Sequence, residues 1–229
     1  MALIINSRTN NAKKSILCGF IYKLLSILLP FASRTIIINF LGVEYTGLSR
    51  LFTSILSVLS LAELGIGSAL IFSMYKPISE DDINKVNAFL YFYRKCYRII
   101  GFIVFGIGIV LLPFIKYLIS GDAPDNINVY VLFLIYLFQS ISSYFLFAYK
   151  GSILTATQRN DIKSNISTIV LLLKEVVQLI SIIIFRNYYF YALALPSFTI
   201  LENVIINIFF KKLYPEIRPC GNILESEKK

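Results

Sequence analysis

The sequence predicts an all-α, polytopic membrane protein of six transmembrane helices with both termini in the cytoplasm. Three observations carry that reading. First, 57% of the 229 residues are hydrophobic, only 15% are charged, and the mean hydropathy is +0.72; soluble domains sit near 45–50% apolar and about 25% charged. Second, six apolar segments can be drawn, at 15–40, 46–74, 99–119, 129–149, 166–185 and 189–210. Each approaches or exceeds the roughly 20 residues that a helix needs to cross the hydrocarbon layer. Third, the cations alternate. Arg8, Lys13 and Lys14 precede segment one, and Lys76, Lys85, Arg94, Lys95 and Arg98 follow segment two. Lys150, Arg159 and Lys163 join segments four and five, and Lys211, Lys212, Arg218, Lys228 and Lys229 close the chain. The opposite side carries Lys116 and Arg186. Cationic loops stay cytoplasmic, so the ends of the chain are expected there.

Segment one is too long for a removable signal peptide and contains Lys23. The connection at 41–45 is short, which makes segments one and two a tight antiparallel pair. Segment two is the stretch that organises the chain: LGVEYTGLSRLFTSILSVLSLAELGIGSALIFSMYKP, residues 41–77. At 100° per residue, Thr46, Ser49, Thr53, Ser57, Ser60, Glu63 and Gly67 share one helical face. A polar stripe in lipid faces protein or a water-filled cavity, so this face is expected to line a polar chamber.

Ser79-Glu80-Asp81-Asp82 resembles a helix start, with Ser79 as the cap. Ile83, Val86, Leu90, Tyr93 and Tyr97 follow on one apolar face, with Lys85, Arg94, Lys95 and Arg98 around the rest. That pattern fits a helix resting on lipid headgroups or one packed against the bundle. Gly101, Gly106 and Gly108 in segment three permit close helix contact. Residues 120–128 form a turn-rich outer loop, and Pro113 and Pro196 are expected to kink their helices. Residues 1–213 then form one six-helix lobe, and the polar 214–229 a cytoplasmic linker or tail.

The remaining polar residues fall inside the spans. Lys23 and Arg34 lie 11 residues apart, about 20° around a helix. Arg50 and Glu63 lie in segment two. Segment four contributes Gln139, Ser142 and Ser143. Segment five carries Ser164, Thr168, Glu175 and Gln178 on one face, with Lys174 at its border. Segment six carries Thr199, Asn203 and Asn207, with Glu202 beside them. A charge at the bilayer centre costs at least about 2.5–3.5 kcal/mol. These groups are therefore expected to share a hydrated cavity able to take an anionic ligand, through Lys23, Arg34, Arg50, Glu63, Lys174 and Gln178. Glu63, Glu175 and Glu202 would balance charge or carry coupling protons. The alternatives are snorkelling for Lys23, Arg34 and Arg50, and plain interhelical pairing for Glu63 and Lys174.

Other classes are disfavoured. The net charge of +9 is placed in membrane loops rather than on a nucleic-acid-binding face. There is no His, and Cys18, Cys96 and Cys220 match no zinc or redox spacing, so neither a metal nor a cofactor is expected. A membrane enzyme such as a glycan polymerase or acyltransferase would want His, paired acids or an arginine-rich outer loop; the longest outer loop here has no cation.

The segments LGVEYTGLSRLF, SLAELGIG, SALIFSMYKPISEDDINKV and YRKCYRIIG resemble those of polysaccharide and O-antigen (Wzx-type) flippases. These belong to the multidrug/oligosaccharidyl-lipid/polysaccharide exporter superfamily. The likeness covers segments one to three best, and segments four to six mainly in topology and in Tyr214-Pro215. It implies transfer of undecaprenyl-pyrophosphate-linked oligosaccharide across the bacterial inner membrane, with Lys23, Arg34 and Arg50 near the pyrophosphate. It also implies a partner lobe. Family members have two six-helix lobes, so this chain is expected to be a truncation, or to pair with itself or a separate half. The competing readings are a cation-coupled drug exporter of the same superfamily and a non-transporting membrane fragment.

Overall fold

The computed structural model describes residues 8–119, 124 and 126–221, excluding the side chains of 8–11 and 62–64. Among the described residues every regular element is helical. The helices are α1 (Arg8–Phe40), α2 (Val43–Leu59), α3 (Leu64–Ser79), α4 (Ile83–Leu111), α5 (Ile115–Leu118), α6 (Val129–Phe145), α7 (Gly151–Ala156), α8 (Asn160–Ile183) and α9 (Tyr188–Leu213). Single 3-10 turns occupy Ser60–Glu63, Leu112–Phe114 and Ala148–Lys150.

Among the described residues, four helical stretches are long and apolar enough to cross a membrane: Ala12–Phe40, Ile83–Leu118, Asn160–Ile183 and Tyr188–Leu213. A fifth arises if α6 and the following Ala148–Ala156 stretch, bent by 47° to each other, form one broken span. The expected second span is divided. Its 17-residue α2 and 16-residue α3 meet at the 3-10 turn Ser60–Glu63. A row of hydroxyls leads into the turn. Thr53 Oγ1, Ser57 Oγ and Ser60 Oγ donate to the carbonyls of Ser49, Ser54 and Leu56, bonds that compete with the helical ladder.

Packing follows a chain of neighbours. α1 runs along α8, α8 along α9, α9 along α6, α6 along α4 and α4 along α3, while α2 bridges α1, α4 and α6. The turn between α1 and α2 depends on Gly42. Its φ of 118° is closed to most side chains, and an added Cβ would come within 2.5 Å of Glu44 Oε2. The aromatic core centres on Phe52, whose ring meets those of Phe133 and Tyr136 edge-on at 5.4 and 5.7 Å.

One local expectation changes and one open alternative is decided. The helix after segment two begins at Ile83, capped by Asp82 and not by Ser79: Asp82 Oδ1 accepts from Lys85 N at 3.0 Å. α3 runs through Ser79, and Asp81 takes a φ of 53° to reverse the chain. The apolar face of α4 turns inward, with Val86, Leu90, Tyr93 and Tyr97 all in the main core. This favours a helix packed on the bundle over one resting on headgroups. The chain beyond α9 also docks. Ile217 is buried, and Arg218 N donates to Asn87 Oδ1 at 2.8 Å.

Candidate functional site

An open cleft of about 400 Å³ lies between α2, α4 and α6. α2 contributes Thr53, Leu56 and Ser57, and Ser60 follows it in the 3-10 turn. α4 contributes Tyr97, and α6 contributes Tyr136, Gln139, Ser140, Ser143 and Tyr144. Every polar group in this lining is neutral. Because Thr53, Ser57 and Ser60 donate their protons to carbonyls of their own segment, what their oxygens have left to offer a ligand is lone pairs. The Gln139 amide adds donors as well as an acceptor.

The tyrosines are held firmly. The Tyr97 ring stands edge-on to those of Tyr93 and Tyr144 at 4.7 and 5.5 Å, and the Tyr93 and Tyr97 hydroxyls are 3.2 Å apart. The Tyr136 hydroxyl lies 3.2 Å from that of Tyr188, which donates to the Tyr45 carbonyl at 3.3 Å. Each aromatic body fills apolar space while its hydroxyl finds a partner. The sequence reading placed Tyr93 and Tyr97 on an apolar face and singled out neither Tyr136 nor Tyr144, because tyrosine is counted with the hydrophobic residues. The signal available was their recurrence at Tyr93, Tyr97, Tyr136 and Tyr144 beside the serine-bearing segments.

The polar stripe on segment two therefore meets Gln139 and Ser143 of segment four, in a cleft whose lining includes Thr53, Ser57 and Ser60. Ser142 is buried instead and donates to the Phe138 carbonyl at 2.6 Å. Thr46, also buried, donates to the Val43 carbonyl.

Among the described residues, none of the charged candidates lines this cleft. Lys23 and Arg50 are exposed, and Arg34 is half-buried. The side chain of Glu63 lies outside the described residues. The others gather in a second polar region, the seam of α1, α8 and α9. There Glu175 is buried, accepts the Ser33 hydroxyl through Oε2, and pairs through Oε1 with Lys174 Nζ at 3.3 Å. Gln178, only 1% exposed, donates through Nε2 to the Tyr191 carbonyl at 3.1 Å. Glu202 of α9 is half-buried and accepts from Ser167 Oγ of α8 at 2.5 Å. Among the described residues, the cleft is therefore neutral, and Lys174, Glu175, Gln178 and Glu202 belong to a separate charged seam.

One polar pair lay outside the sequence expectations. Lys150 is buried, and its Nζ donates to Asn207 Oδ1 of α9 at 2.5 Å. Among the described residues no group of three potential metal ligands comes together. No family model matches the chain, and no curated protein or solved structure does so either.

Proposed function

We propose that this chain is the translocating lobe of a flippase for undecaprenyl-pyrophosphate-linked oligosaccharide in a bacterial inner membrane, serving cell-surface polysaccharide biosynthesis. The observation that carries the reading is the neutral, hydroxyl-lined and tyrosine-lined cleft between α2, α4 and α6. A glycan is uncharged over most of its surface. It offers hydroxyl donors to oxygen lone pairs and C–H faces to aromatic rings. Thr53, Ser57 and Ser60 supply the lone pairs, Gln139 the amide, and Tyr97 and Tyr144 the rings. The volume of about 400 Å³ falls in the range of small-ligand sites.

In this reading the chain crosses the membrane six times with both ends cytoplasmic. α2 and α3 make one broken span, and α6 with its bent continuation makes another. Interrupted spans are tolerated where they border a cavity, and they recur at transport sites. Lys23, Arg34 and Arg50 contact the pyrophosphate, Lys23 and Arg50 from exposed faces open to a second lobe or a second copy of the chain. Glu175 and Glu202, each accepting a hydrogen bond from a serine of a neighbouring helix, exchange the coupling protons in this reading. Those acids also fit a cation-coupled exporter of drug-like solutes, but the neutral cleft favours a polyhydroxylated cargo.

The test is glycan export in cells that depend on this chain. Gln139→Leu combined with Ser57→Leu removes the amide and one hydroxyl from the cleft and fills it with apolar bulk, and should abolish export at unchanged protein level. Full export by that variant would reject the reading.

A further inference from the structure

The basic end of the bundle holds a cation that charge counting alone does not explain. A loop lysine that sets membrane orientation needs only to be solvated. Lys150 is 6% exposed. Its ammonium lies over the Phe147 and Phe210 rings at 4.9 and 5.0 Å and has the neutral Asn207 amide as its hydrogen-bond acceptor. Its charged neighbours are cations: Lys211, one turn beyond Asn207 on α9, and Arg94 of α4. The stem of Lys163 from α8 crosses Gly151, the next residue in the chain, so that an added Cβ there would sit 3.5 Å from Lys163 Cε. Among the described residues, none of Arg94, Lys150, Lys163 and Lys211 has a carboxylate within ion-pair distance.

Burying a positive charge among other positive charges is unfavourable unless an opposite charge completes the site. α4 and α9 pack on the turn Ala148–Lys150, and α8 packs on the short helix that follows it, so that Arg94 and Lys211 act on Lys150 while Lys163 lies along its neighbour Gly151. An exposed ion pair with solvent anions would not require Lys150 to be withdrawn from water. From this convergence we infer that Arg94, Lys150, Lys163 and Lys211 form a binding site for a phosphate anion at the cytoplasmic end of the bundle, separate from the hydroxyl-lined cleft. The phosphate belongs to an anionic lipid headgroup or is free in solution. The inference does not depend on glycan transport, because its readout is binding.

The experiment uses the full chain purified in detergent. Retention of phosphatidylglycerol against phosphatidylcholine is followed by native mass spectrometry, and the shift in melting temperature with inorganic phosphate is measured in parallel. Lys150→Met keeps the buried stem and removes the charge. Lys163→Gln with Lys211→Gln alters half-buried and exposed positions, and decides alone if the first variant does not fold. Both variants should weaken phosphatidylglycerol retention, or the phosphate effect, by about tenfold or more. Lys13→Gln with Lys14→Gln, at exposed positions on α1, should leave both unchanged. Loss of lipid preference alone assigns the site to a headgroup, and loss of the phosphate shift alone assigns it to free phosphate. The inference is overturned if the wild-type chain shows neither effect, or if the control variant loses as much as the site variants.

Discussion

The hydroxyl of Ser33, on α1, donates to Oε2 of Glu175, on α8, across 142 residues of chain, and both side chains are buried. Lys174 Nζ holds the other carboxylate oxygen at 3.3 Å. α1 exposes Ile16, Phe20, Ile27 and Phe31 on its outer side, so this polar contact is one of the features that gives the helix a defined register against the bundle. Interhelical hydrogen bonds in membrane proteins contribute about 0.6 kcal/mol on average, and up to about 1.7 kcal/mol. Ser33→Ala should lower stability within that range, as read from the unfolding midpoint in mixed micelles. Glu175→Ala should cost more, because it also strands Lys174. In a double-mutant cycle the pair should couple by about 0.6 kcal/mol. A coupling of zero would remove this contact from the forces that fix α1.

The glycines of α4 differ in what they touch. An added Cβ at Gly101 would lie 2.9 Å from Tyr144 Cβ and 3.1 Å from a Phe145 ring carbon, where neither backbone nor ring can yield easily. At Gly106 it would meet nothing within 4 Å. Gly101→Ala should therefore destabilise by about 1–3 kcal/mol through overpacking. Gly106→Ala should be neutral or stabilising by up to about 1 kcal/mol, since alanine is the better helix former. Thermal unfolding of the two variants side by side checks the contrast.

That contrast also shows what periodicity can and cannot carry. Gly101, Gly106 and Gly108 looked equivalent in sequence, but only Gly101 and Gly108, seven residues apart and on one face, meet α6. Of the polar stripe read on segment two, Thr53, Ser57 and Ser60 border the cleft, while Thr46 is buried away from it. Spacing says which residues share a face. It does not say which helix that face meets, and so Glu175, Lys174, Gln178 and Glu202 were grouped with the serines when they pack in a different seam. The break at Ser60–Glu63 was hidden because no proline marks it and the hydropathy runs on through 46–74. Lys150 was hidden because a count of loop cations treats each as solvated, whereas the 47° bend after α6 carries this one inward against Phe210 and Asn207.

The start of the tail is held by a hydrogen bond between the hydroxyls of Thr157 and Tyr214 at 2.7 Å, with the Tyr214 ring 6.0 Å from that of Phe210. Thr157 sits in the tight turn between α7 and α8, followed by Gln158 at a φ of 58°. Tyr214→Phe keeps the ring and removes the hydroxyl, so it should cost about 0.5–1.5 kcal/mol. Because the bond ties the tail to that turn, hydrogen exchange should rise at 214–218 and at 157–159 together. A rise confined to the tail would mean that the two segments are held independently.

The cleft makes a claim about water. Ser57 is exposed, and Ser143 half-buried, in the opening that α2 shares with α6, whereas Phe102 of α4 is 64% exposed on an apolar outer face. In a bilayer, a polar opening fills with water while an apolar outer face meets acyl chains. With Cys18, Cys96 and Cys220 replaced by alanine, Ser57→Cys and Ser143→Cys should react with a membrane-impermeant maleimide. Phe102→Cys should stay unlabelled until the membrane is dissolved, because a thiol must ionise in water to attack. Adding soluble oligosaccharide should slow labelling at both cleft positions if sugar occupies the opening, and should leave labelling in detergent at Phe102→Cys unchanged. Equal labelling at all three positions in intact membranes would mean that α2 does not face a hydrated cleft. The transport reading would then lose the chamber on which it stands.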